Sequence, residues 1–221
     1  MIEGLLGIFL AFVIFILVLF FSKRKPNQKV ANPINKALSH EGFINLDLSD
    51  PKIQPLKEAF KSTVPYPIFI EQAFHRPQDD LIICWVSNTE GDNNALIAVI
   101  LQRVKTGRWI LFHIPSIKGK IGNILRKGDE LSLSSLGFNK VEHHFSAQSI
   151  KYSELYIYKN GFTPTFHSDF YNVLQQFGNV VIRSTGSNIL IERISPYRSE
   201  SWEQEVKELL KITQLMITAK F

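Results

Sequence analysis

The sequence predicts an α+β fold: an N-terminal transmembrane helix, then a domain with mainly antiparallel sheet and packed helices. Three observations predict it. Leu5 to Phe21 is an unbroken apolar run of 17 residues. Between Ile68 and Ile114, four runs of β-branched and aromatic residues, each of strand length, follow one another across short polar turns. In the C-terminal third, apolar residues recur at helical spacing on either side of a two-strand pattern. The expected organisation is an anchor at 1–22, a basic juxtamembrane linker at 23–40 and a soluble α+β domain at 41–221. The last of these has two candidate subdomains, 41–116 and 136–221.

At ~1.5 Å per residue the first run approaches a hydrocarbon core of ~30 Å, at the short end of the spanning range. Leu5, Phe9, Phe12, Phe15, Leu19 and Phe21 are its membrane-spanning side chains. It holds no charge, so it implies neither an ion path nor a proton relay. A cleaved signal peptide needs a basic start and a small-residue cleavage site. This chain begins Met-Ile-Glu-Gly and leaves the run through Phe-Ser-Lys-Arg-Lys-Pro, so an uncleaved anchor is expected. Lys23, Arg24, Lys25 and Lys29 follow the run and only Glu3 precedes it. The positive-inside rule then puts the domain in the cytoplasm and the N-terminus on the other side of the cell (inner) membrane. The same four cations can contact anionic headgroups, each worth about 1 kcal/mol near the surface.

Of 221 residues, 45% are hydrophobic and 20% charged, a globular balance. The net charge of +5 is unevenly placed: four basic residues and one acid lie within the first 29, leaving 21 and 19 for the rest. A nucleic-acid partner wants a basic face on the folded domain itself, so none is expected. The single cysteine, Cys84, excludes an intramolecular disulfide.

Pro26 to Pro33 is polar and proline-bounded and reads as a linker. A brief helix is expected from Ile34 to His40, ending at Gly42, and a second from Lys52 to Lys61 with Ile53, Leu56 and Phe60 on one face. Val64-Pro-Tyr-Pro67 then breaks the chain. Strands are expected at Ile68–His75, Leu81–Ser87, Ala95–Val104 and Trp109–Ile114, and their short turns favour a consecutive antiparallel meander. Leu81–Val86 and Ala95–Leu101 are nearly all apolar, as strands covered on both faces would be. Phe138–Phe145 and Leu155–Tyr158 read as further strands. Thr163-Pro164 offers an N-cap and a proline at the first helical position. Phe166, Phe170, Val173, Leu174 and Phe177 then recur at helical spacing up to Gly178. Val180–Arg183 and Ile189–Ile194 read as a hairpin about Thr185-Gly186-Ser187. Trp202, Val206, Leu209, Leu210, Thr213 and Ile217 stripe a last helix with Glu203, Lys207, Glu208 and Lys211 outside.

No residue set in the sequence carries a recognisable chemistry. His143 and His144 are neighbours on an expected strand and point to opposite faces, so one metal cannot readily take both; Glu142 shares a face with His144 only. His167 and Asp169 diverge by roughly 200° on a helix, and Asp169 suits a helix N-terminus. Cys84 lies in an apolar strand, where a thiol is packing rather than a nucleophile. Ile117–Gly128 superficially suggests a phosphate loop but lacks its spacing. It reads instead as an amphipathic segment, with Ile117, Ile121, Ile124 and Leu125 on one side. Lys118, Lys120, Arg126 and Lys127 on the other side are candidates, with Lys23, Arg24, Lys25 and Lys29, for anionic-lipid contact.

The sequence Phe162-Thr-Pro-Thr-Phe166 opening a helix, then Val180–Arg183, a glycine turn and Ile189–Ile194 before an amphipathic helix, covers about a third of the chain. With the leading anchor and basic segment, this layout resembles uncharacterised bacterial single-pass membrane-anchored proteins with a cytoplasmic α+β domain. The resemblance brings a fold expectation and no active-site residues. The expected function is a non-catalytic membrane-tethered interaction module: an accessory, assembly or scaffold subunit, whose partners are the bilayer and a protein of a membrane complex. No cofactor or metal is expected. The alternatives are a tethered enzyme assembled from distant residues, such as Cys84 with one histidine, and a lipid- or small-ligand-binding domain at the cytoplasmic membrane surface.

Overall fold

The computed structural model describes residues 28–64, 67–88, 94–101, 107–115, 130–141, 153–159, 161, 163–166, 168–194 and 201–218. Contacts divide the chain into two compact units, Met1–Asn32 and Pro33–Phe221. Among the described residues no helix is long and apolar enough to cross a membrane. The run Leu5–Phe21 and the cations Lys23, Arg24 and Lys25 lie outside the described residues, as do Lys118, Lys120, Arg126 and Lys127.

Helix α1, Gln28–His40, corrects the expectation of a linker up to Pro33: the helix runs through that proline. Pro33 lacks the N–H that would bond the carbonyl four residues back, but its fixed φ is compatible with helix. Ile34, Ala37 and Leu38 are buried and hold the helix by packing that a local reading does not see. Its end matches the sequence expectation. Gly42 sits at φ 80°, and the amides of Gly42 and Phe43 donate to the carbonyls of Ser39 and Leu38.

Strand β1, Ile44–Leu46, follows; it is three residues long and carries no alternation that would announce it. Helix α2, Ile53–Thr63, is entered through Asp47 and Asp50, whose carboxylates accept the amides of Ser49 and Lys52 at 2.8 Å each. It ends at Val64, whose extended backbone precedes Pro65.

Among the described residues nine strands make one antiparallel sheet in the order β1-β2-β3-β4-β9-β8-β5-β7-β6. These are β2 Ile68–Arg76, β3 Leu81–Asn88, β4 Asn94–Leu101, β5 Arg108–His113, β6 Phe138–Val141, β7 Ser153–Tyr158, β8 Val180–Thr185 and β9 Asn188–Arg193. The meander expectation holds from β2 to β4 and fails at β5. The β8–β9 hairpin lies between them, with Ile97 opposite Glu192 and Ile110 opposite Arg183. The reason is apolar surface: β8 and β9 are themselves buried on both faces, so they belong in the middle of a sheet and not at its rim.

Two layers of helix cover the sheet. On one face α2 sets Ile53, Leu56, Ala59 and Phe60 on Ala73, Ile82, Cys84, Val86, Ile97, Val99 and Leu190. Further along that face a helical segment, 130–135, brings Leu133 onto Ile110, Phe138, Tyr156 and Val181. On the opposite face helix α4, Trp202–Thr218, packs on β4 and β9 and buries Val206, Leu209, Ile212 and Met216. Arg193 of β9 bonds Glu205 of α4 at 2.6 Å. The apolar strands β3 and β4 are thus buried from both sides, as their composition implied.

Helix α3, Ser168–Gln176, starts four residues later than Thr163-Pro164 suggests. Phe166 is the cause. Its ring meets Trp109 edge-on at 5.3 Å and stacks on Phe170 at 4.3 Å, so it serves the core from an irregular segment. Asp169 stands in the first turn of α3, as expected for an acid near a helix N-terminus.

Candidate functional site

The residues singled out from the sequence do not converge. His143, His144, Glu142 and His167 lie outside the described residues. Among the described residues no group of three or more His, Cys, Asp or Glu could hold a metal ion. Cys84 faces α2 from the middle of the sheet and is wholly buried, and desolvation pushes its thiol up to about 12. A thiol so placed is neutral at physiological pH and out of reach. In the native protein it is expected to resist maleimide labelling at neutral pH and to label fully in concentrated guanidinium. Cys84→Ala should lower stability by about 1 kcal/mol.

A polar cluster that the sequence reading passed over sits where β2 turns into β3. His75 Nε2 lies 2.7 Å from Asp80 Oδ1, and Lys52 Nζ lies 3.1 Å from the same oxygen. The lysine is also 3.2 Å from His75 Nε2. One ring nitrogen cannot donate to the carboxylate and accept from the ammonium at once. The shorter distance assigns Nε2–H donating to Asp80, with Lys52 as its second donor. The bond from His75, then that from Lys52, holds the Asp80 carboxyl below its ordinary range. Asp80 takes a left-handed backbone at φ 53°, which turn aspartates tolerate. With Nε2 committed, His75 offers no free base there. The trio staples the start of α2 to the β2–β3 turn, and Arg76 with Asp79 at 2.6 Å stiffens the same turn.

His113 is 4% exposed on β5, with Nδ1 2.7 Å from Ser153 Oγ, and burial lowers its pKa. The unfolded chain therefore binds the proton more tightly than the folded one. Its contribution is complete above the unfolded value near 6.5 and is lost as pH falls towards the lowered folded value. The melting temperature of the native protein is expected to drop on acidification through about pH 6. His113→Gln should flatten that slope in parallel thermal scans.

A second cluster lies at the other end of the α2-covered face. Arg108 opens β5, Tyr158 closes β7 and Lys159 follows it. The guanidinium of Arg108 stands 3.9 Å from the centre of the Tyr158 ring and 5.5 Å from that of Phe138, and it donates to the Ser62 carbonyl in the last turn of α2 at 2.9 Å. Lys159 Nζ is 5.0 Å from the Tyr158 ring. The phenol is held below its ordinary range, first by a hydrogen bond from Lys159 and then by the charges of Lys159 and Arg108. None of these three was marked in the sequence. They are separated by 50 residues, and only the pairing of β5 with β7 brings them together.

No protein-family model matches this chain, and no curated protein and no solved structure is significantly similar to it.

Proposed function

We propose that this chain is a membrane-tethered interaction module, an accessory or assembly subunit held at the cytoplasmic face by an anchor at Leu5–Phe21. The observation that carries the reading is that unbroken apolar run with Lys23, Arg24, Lys25 and Lys29 after it and Glu3 before it. The folded domain supports the reading in a second way. Three of the reactive side chains among the described residues are committed to structure: the Cys84 thiol is sealed, His75 is bonded to Asp80, and His113 is buried against Ser153.

The test is extraction of the tagged chain in mild detergent, followed by affinity capture and identification of what co-purifies in fixed ratio. A stoichiometric membrane-protein partner is the expected result. Recovery of a monodisperse monomer with no partner would sink the reading.

A further inference from the structure

Four arginines lie among the described residues. Arg76, Arg183 and Arg193 each meet a carboxylate, in Asp79, Glu192 and Glu205. Among the described residues Arg108 meets none, and its buried Nε has no acceptor there. Lys159 likewise has no carboxylate within ion-pair distance among the described residues. Both cations lie over one ring, 3.9 and 5.0 Å from its centre, so they can be no further apart than those two distances together. Two cations on one ring, with no carboxylate beside either among the described residues, add their attraction for an anion that reaches the phenol.

The setting is built rather than accidental. Phe138 meets the Tyr158 ring edge-on at 5.5 Å and fixes its tilt. Gly137, at φ 87°, leaves room for it: a Cβ there would come within 3.1 Å of Tyr158 Cε2. The Lys159 amide donates to the Gly137 carbonyl at 2.6 Å and holds the lysine in a left-handed backbone, φ 49°. Arg108 is pinned by Ser62 at the helix end. Lys159 is exposed, while Arg108 and Tyr158 are half-buried, so the cluster opens to solvent on the lysine side.

We propose that Arg108, Tyr158 and Lys159 form a binding site for a phosphate group, carried either by a soluble phosphate compound or by a lipid headgroup. Arg108 and Lys159 supply the charge, and the Tyr158 hydroxyl donates a third hydrogen bond to a phosphate oxygen. A tetrahedral dianion matches two cations and a phenol better than a carboxylate does, because it offers acceptors in three directions. The site does not depend on a protein partner, and its test is separable from the capture experiment.

The test uses the full chain in phosphatidylcholine nanodiscs with Cζ-labelled tyrosine, observed by NMR. Inorganic phosphate is titrated against chloride at constant ionic strength, and a parallel sample has nanodiscs containing phosphatidic acid. Expected is a saturable shift of the Tyr158 resonance and a rise of its pKa, since a bound anion restores the proton. Lys159→Gln and Tyr158→Phe should weaken phosphate binding about tenfold, seen for the latter by calorimetry, with unchanged melting temperatures. A response to inorganic phosphate assigns a soluble ligand, and a response to phosphatidic acid alone assigns a headgroup. No saturable response to either, or equal binding by Lys159→Gln, overturns the proposal.

Discussion

Arg183→Met is expected to lower the stability of the domain by about 3–5 kcal/mol, the loss measured when one partner of a buried ion pair is removed. Arg183 and Glu192 meet at 2.7 Å with side chains 6% and 14% exposed. Arg183 stands opposite Leu190 on one neighbouring strand and Ile110 on the other, so the pair lies between two apolar clusters. Methionine fills much of the volume but leaves Glu192 charged and desolvated with nothing opposite. At roughly 2–4 °C per kcal/mol for a domain of this size, the melting temperature should fall by about 6–20 °C. Arg183→Met combined with Glu192→Leu should regain most of the loss, because the cost of a buried pair lies in breaking it rather than in replacing it. A drop of less than about 1 kcal/mol in the single variant would mean that water reaches Glu192 and that the pair is not buried as described.

Trp109→Ala should cost a similar amount, about 3–5 kcal/mol, for a different reason. Trp109 is 1% exposed on the face opposite α2. Its ring is the surface that Phe166 meets edge-on, and Phe166 in turn stacks on Phe170 of α3. Removing the indole leaves a cavity and releases Phe166, the residue that holds the irregular segment before α3. The near-ultraviolet circular dichroism should lose tryptophan intensity. Amide exchange at 168–176 should accelerate more than at β3, which α2 covers from the other side. Trp109→Phe keeps an aromatic edge for Phe166 and should cost less than half as much. Uniform acceleration across the whole sheet would contradict the local origin.

The same two positions mark what was legible in the sequence and what was not. Strand existence was legible because Leu81–Val86, Val180–Arg183 and their neighbours are apolar, β-branched and bounded by turn residues. Burial on both faces followed from the lack of alternation. Strand order was not legible at β5. Which strand lies beside β4 depends on surface contributed 90 residues later, and periodicity carries no information about pairing partners. Thr163-Pro164 is a sound local helix start that lost to a tertiary contact, the seat of Phe166 against Trp109. Pro33 is a sound local break that lost to the burial of Ile34 and Leu38. Cys84 was legible as packing because the strand that carries it is apolar throughout, and its side chain does lie in the core under α2. The Arg108–Tyr158–Lys159 cluster had no comparable signal. Arg108 and Tyr158 are ordinary strand-end residues and Lys159 follows one, and the absence of a carboxylate beside Arg108 among the described residues is a property of the folded arrangement. The Lys52–His75–Asp80 staple was partly visible, since His-Arg-Pro-Gln-Asp-Asp is a turn dense in charge.

We propose that the folded domain is tethered to a membrane with its C-terminus inside. This topology is tested by protease protection of a C-terminal tag, compared between sealed spheroplasts and inside-out vesicles, with a separate membrane sample washed in alkaline carbonate. The tag should stay with the membrane through the wash, survive protease in spheroplasts and be removed in inverted vesicles. A tag released by the wash, or digested in spheroplasts, would contradict it.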